Sequence, residues 1–227
     1  MLKEELHALK ERLMESASLV EGMIGKSIKG LSERVRDLLL EVMEKDEVRE
    51  NELELEIEEI CIELLARYQP QAKDLRSILM ILKMNNDLER MGDEAVNIAE
   101  SSLFLIERPQ VKPLIDIPRM AQEAMGMLRD SLLSFVREDT TLASSVCKRD
   151  DVVDGLRDQI LRELVTYMAS DPSTIERSLH LLRISRSLER IADLSTNICE
   201  DVIYMVEGKV IKHHKFEDGS SRERDGS

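Results

Sequence analysis

Apolar residues recur every three or four positions almost from the first residue, and Leu6, Leu9, Leu13, Val20, Met23, Ile24 and Ile28 fall on one helical face. The same period predicts six helices: about Leu2 to Gly30, Ser32 to Tyr68 with a bend near Asp46, Asp74 to Glu107, Arg119 to Val136, Thr140 to Met168, and Ser173 to Glu207. Every proline falls at or near a predicted helix end, as expected of a residue that lacks the backbone N–H and clashes with the preceding turn. Pro109, Pro113 and Pro118 crowd into ERPQVKPLIDIP, which reads as an extended, semi-rigid connection. The period is lost after Gly208, and the tail VIKHHKFEDGSSRERDGS is predicted to be disordered near its end.

The two halves resemble each other. LERMGDEAVNIAES at 88–101 and LERIADLSTNICED at 188–201 are identical at half of their aligned positions. Upstream, a register of 104 matches Ala17 with Ala121, Ser27 with Ser131, Val42 with Val146 and Asp46 with Asp150. An internal repeat of this size means one structural unit used twice. The expected fold is all-α: two tandem antiparallel three-helix bundles related by a pseudo-two-fold axis, with the proline segment as hinge. Residues 1–108 form the first bundle, 119–210 the second and 211–227 the polar tail.

Composition agrees. Aromatics make up 3% of the chain and Trp is absent, which disfavours a sheet, while 42% hydrophobic content is enough to bury a core. A net charge of −14, with no contiguous basic stretch, argues against nucleic acid and anionic lipid as direct partners. Charges interrupt the N-terminus every few residues and no long apolar run occurs, so a soluble, cytoplasmic protein is expected. Cys61, Cys147 and Cys199 lack metal-ligand spacing and are expected as small core residues in a reducing compartment.

The repeated stretch carries chemistry as well as symmetry. At 100° per residue, Glu89, Asp93, Asn97 and Glu100 lie within an arc of about 80°, as do Glu189, Asp193, Asn197 and Glu200. The seam Leu75, Ile78, Leu82, Asn85 runs through Glu89 to Gly92, Val96 and Ala99, which places a carboxylate where a core residue belongs. Such a group is costly to bury unless paired, protonated or bound to a cation. A second acidic row, Asp46, Glu50, Glu54 and Glu58, recurs on the preceding helix, with Asp150, Asp154 and Asp158 as its counterpart. If the rows meet, each bundle holds a carboxylate cluster suited to Mg²⁺, Mn²⁺ or iron. The competing reading is a solvated face with local ion pairs, Arg90 to Asp93 or Glu94, Arg190 to Asp193, and Arg186 to Glu189.

The duplicated Glu-x-x-x-Asp-x-x-x-Asn pattern, at Glu89, Asp93 and Asn97 and again at Glu189, Asp193 and Asn197, resembles the PhoU family over about residues 6–210. That resemblance implies a cytoplasmic negative regulator of the phosphate-starvation response. It would act as adapter between the ATPase subunit of a phosphate ABC transporter and a sensor histidine kinase, meeting the membrane only through them. It also implies bound metal, an iron cluster in some members. The ligands here would be Glu89 and Asp93 with Asp46 and Glu50, then Glu189 and Asp193 with Asp150 and Asp154. The oligomeric state, a homodimer included, is left open.

Two alternatives belong to other classes. A di-iron carboxylate enzyme needs Glu-x-x-His on two helices, but only Glu4 and His7 have that spacing; His180, His213 and His214 do not follow a Glu by three. No Gly-rich phosphate loop or nucleophile elbow occurs, so no catalytic residues are expected. A metal-free helical scaffold is the other alternative.

Overall fold

The computed structural model describes residues 1–208, and every regular element within them is helical. Helix α1 (Leu2–Glu33) stops where Arg34 adopts left-handed backbone, φ 57°, and returns its N–H to the Gly30 carbonyl. The chain turns directly into α2 (Arg36–Glu41), passes through a π-helical turn at Val42–Asp46 and continues as α3 (Glu47–Tyr68). Helix α4 (Ala72–Ile106) completes the first half. The second half contains α5 (Asp116–Arg137), α6 (Thr140–Cys147), α7 (Asp150–Ser170), a 3-10 turn at Pro172–Thr174 and α8 (Ile175–Glu207). Pro118 lies inside the first turn of α5, where a missing N–H costs nothing, so this helix begins earlier than expected.

The second helix of each half is interrupted at equivalent places. The π turn ends at Asp46, and α7 begins at Asp150, its match at register 104. A π-helical turn thus interrupts the helix where a bend near Asp46 is predicted, whereas the unbroken helix predicted from Thr140 to Met168 is two helices. Asp139 caps the first of them by accepting the N–H groups of Thr141 and Leu142 at 3.0 and 2.9 Å. The following residues, KRDD at 148–151, offer nothing apolar to hold a helix on the core. Arg149 instead turns back to α5, reaching Asp130 at 2.6 Å and Glu123 at 3.3 Å.

Helix α4 packs on α1 and α3, and α8 packs on α5, α6 and α7. The halves meet through α4 on α8 and α1 on α5. Each of these long helices must therefore bury two faces, and on α4 Ile81, Met84, Leu88, Met91, Ala95 and Ile98 are fully buried. The buried apolar residues form one cluster that spans both halves, so the repeats are fused side by side through a shared core. Burial nevertheless follows the repeat position by position from 81–93 to 181–193. Cys61 and Cys199 are buried and Cys147 half-buried, as expected of small core residues.

The segment predicted as a hinge is tied down from both sides. Arg34 donates to the carbonyls of Ile106 and Arg108, and Arg177 to that of Pro109 at 2.8 Å. Lys112, 7% exposed, pairs with Asp116 at 2.7 Å and with Glu163. No helix of the described residues is long and apolar enough to cross a membrane. The predicted polar tail at 211–227 lies outside the described residues.

Candidate functional site

The first acidic groove lies between α3 and α4. Gly92 presents no side chain here, and Glu50 lies against it: a Cβ at Gly92 would sit 3.5 Å from Glu50 Cγ. Glu50 is only 2% exposed, and Ser16 Oγ of α1 donates to it at 3.1 Å. Burial pushes its carboxyl up to about 7; the Ser16 bond opposes this, and repulsion from Glu89, Glu54 and Asp93 adds to it. Glu89 is half-buried and shifts upward too, through burial first and then Asp93 and Glu54, with Arg90 opposing. These four carboxylates, two from each helix, make up the groove. One turn before Glu89, the fully buried Asn85 donates its Nδ2 to the Glu54 carbonyl at 2.9 Å, and its Oδ1 has no hydrogen-bond partner among the described residues.

Two sequence expectations change here. The predicted seam through Glu89 is the α3-facing edge of α4, because the centre of the buried surface is turned toward α1 and α8 by the second packing face. Asp46, 8% exposed, is held by Lys26 of α1 at 2.7 Å, a lysine that also takes Glu41 at 2.7 Å. Its charge is offset from α1, and Glu54 takes the place expected of it beside Glu50.

The second groove repeats the row on α8 but adds a direct ion pair to it. Arg157 of α7 makes an ion pair with Glu189 and also bonds Asp158 at 2.8 Å. At register 104 its counterpart is the core residue Leu53. Burial raises the Glu189 carboxyl, Arg157 pulls it down, and Asp193 and Asp154 push it up again. Asp150, 9% exposed, lines a neighbouring cleft with the exposed Asp193 and Asn197 and with Glu200, Arg90 and Arg190. In the first half the exposed Asn97 donates to Glu94 at 3.2 Å.

Arg90 and Arg190 have partners other than the local ones expected. Arg90 takes Asp87 at 3.2 Å, and Arg190 takes Glu94 across the α4–α8 contact at 3.3 Å. Among the described residues no three His, Cys, Asp or Glu side chains converge into a ready-made cation cage. The donor set of the first groove fits a hard cation chemically, but its side chains would have to rotate inward to ligate one.

One buried pair escaped the sequence reading. Asp87 on α4 and Asp201 on α8, 8% and 7% exposed, face each other where the halves meet. Lys83 pairs with Asp201. Burial pushes Asp87 up to about 6, Arg90 opposes this and Asp201 adds to it. The signal was present in the repeat, because the matched positions at register 100 are Ser187 and Ser101.

The PhoU domain family matches residues 13–102 and again 117–202, once in each half. The chain belongs to the PhoU family. A protein of Aquifex aeolicus named phosphate-specific transport system accessory protein PhoU homolog is 43% identical over 217 residues, covering 96% of this chain and 98% of its own. A Pseudomonas putida protein of the same name is 40% identical over 92% of this chain and 82% of its own. The crystal structure of PhoU from Pseudomonas aeruginosa superimposes with a TM-score of 0.88 at 37% identity, over 92% of this chain and all of that one. The phosphate transport system regulatory protein PhoU from Streptococcus pneumoniae gives 0.87 at 28%, over 94% and 100%. The fold of two tandem helical bundles is thus that of PhoU structures.

Proposed function

We propose that this protein is a cytoplasmic regulator of phosphate uptake that holds the phosphate-starvation response off, acting as adapter between the ATPase subunit of a phosphate ABC transporter and a sensor histidine kinase. The names of its relatives support the transport role. The observation that carries the site is the first groove, where Glu50, Glu54, Glu89 and Asp93 gather against Gly92 with like charges reinforcing one another.

Those four residues would hold a cation: iron, or else Mg²⁺ or Mn²⁺. When bound, it supplies the positive charge that offsets their repulsion and fixes α3 against α4. Glu189, Asp193, Asp154 and Asp158 stand at the matching positions, with Asp150 and Asn197 in the neighbouring cleft, but Arg157 already offsets Glu189, so a cation there must displace a guanidinium. A donor set of carboxylates beside one serine and one asparagine suits ligation better than nucleophilic catalysis, and a non-enzymatic role follows.

The lack of a ready-made cage favours a second reading, a metal-free interaction module. Affinity capture on the tagged full chain from phosphate-replete cells, with and without chelator, tests both. Recovery of ATPase and kinase that chelation abolishes supports the metal-dependent adapter. Recovery that chelation leaves unchanged supports the metal-free module, and recovery of neither contradicts the adapter role.

A further inference from the structure

The pseudo-two-fold axis makes two clefts along the α4–α8 contact from matched positions, and they differ in charge. One is lined by Lys83, Asn86, Asp87, Asn197, Glu200 and Asp201. Its counterpart, part of a larger cleft of about 800 Å³, is lined by Arg183, Arg186, Ser187, Asn97, Glu100 and Ser101. At these six matched positions lysine against three carboxylates becomes two arginines against one; the larger cleft also holds Glu94, Glu189 and Asp193 together with Arg157 and Arg190. Three of the replacements, Asn86 by Arg186, Asp87 by Ser187 and Asp201 by Ser101, all move the second cleft toward positive charge.

The first cleft is satisfied internally, because Lys83 pairs with Asp201. In the second, the residue matched to Asp201 is Ser101, so Arg183 shares its cleft with a hydroxyl at the position where its counterpart Lys83 has a carboxylate. The other arginines of this cleft are engaged, Arg157 by Glu189 and Arg190 by Glu94. Arg183 and Arg186 lie within ion-pairing distance of no carboxylate among the described residues, although Glu100 and Asp193 share the cleft. Ser101 and Ser187 are 5% and 6% exposed, line the cleft, and have no side-chain hydrogen-bond partner among the described residues. Two guanidiniums one helical turn apart, over two buried hydroxyls on facing helices, offer the donors that a tetrahedral oxyanion accepts.

We propose that this cleft binds a phosphate group, held by Arg183 and Arg186 from α8 and by the hydroxyls of Ser187 and Ser101. Because Ser101 belongs to the first half and the other three to the second, the bound anion bridges the repeats. The cleft would bind it whether or not the acidic grooves hold metal. Its size admits inorganic phosphate or a phosphomonoester.

Equilibrium dialysis of the full chain against inorganic phosphate, and separately against adenosine monophosphate, tests this at fixed ionic strength. One saturable equivalent per chain is expected, and the tighter of the two ligands identifies the source of the phosphate group. Arg183→Gln with Arg186→Gln, both at exposed positions that leave the core untouched, should weaken binding at least about tenfold. Ser101→Asp, which recreates the internal carboxylate of the other cleft, should weaken it comparably, while Arg67→Gln, beside the start of α4 whereas Ser101 lies near its end, should leave it unchanged. Absence of saturable binding of either ligand up to about 10 mM, or binding that survives the double arginine variant, would overturn the proposal.

Discussion

Ser16 Oγ on α1 donates a 3.1 Å hydrogen bond to the carboxyl of Glu50 on α3, so a buried acid in the first groove is oriented by a neutral hydroxyl. Neutral support does not offset the cost of burying a charge there, and Glu89, Glu54 and Asp93 add repulsion. The carboxyl therefore holds its proton up to about 7 in the folded chain, against an ordinary value of 4.5.

The sign of the resulting pH dependence follows from linkage. A carboxyl that binds its proton more tightly when folded favours folding where it is protonated, and that advantage is lost as pH rises from about 4.5 to about 7. In chelator-treated protein, Glu50→Gln should match the parent near pH 4.5 and exceed it above pH 7, by roughly 3 kcal/mol at most. Urea unfolding at both pH values checks this. An equal difference at both would show that Glu50 does not titrate as described.

The two grooves should differ in metal uptake because only the second contains Arg157. Elemental analysis of protein purified without chelator should show metal lost on Glu89→Gln with Asp93→Asn, and a smaller loss on Glu189→Gln with Asp193→Asn. Arg157→Gln should raise the content of the second groove. Equal losses from both pairs, with no effect of Arg157→Gln, would mean that the guanidinium does not compete.

Much of this was legible in the residues. The 3.6 period and the placement of prolines give the helices, and the acids four apart on two consecutive helices give Glu50, Glu89 and Asp93 as neighbours. Where long side chains end up was not legible. Asp46 and Glu50 look equivalent along the chain, yet Lys26, twenty positions earlier, takes the first and not the second. Arg157 stands at a position whose counterpart is core, so only packing reveals that it reaches Glu189. The second buried face of α4 requires knowing that the bundles are fused, which a repeat alone does not establish.

Fusion has a thermodynamic consequence. A core shared by both halves, with the linker tied by Arg34, Arg177 and Lys112, should unfold in a single cooperative transition by calorimetry. Two resolved transitions would mean that the repeats unfold separately.

Lys112→Met should cost about 2 kcal/mol, below the loss for a fully buried pair because Glu163 is partly exposed. Chemical denaturation checks the magnitude. A change within about 0.5 kcal/mol would place the linker outside the cooperative unit.

The central claim is that the first acidic groove carries the regulatory signal. The most direct measurement is a phosphate-starvation promoter reporter in phosphate-rich medium, in cells whose only copy carries Glu50→Gln, Glu89→Gln and Asp93→Asn, with abundance followed by immunoblot. The account predicts a folded, normally abundant protein that fails to hold the promoter off. Full repression at normal abundance would contradict it.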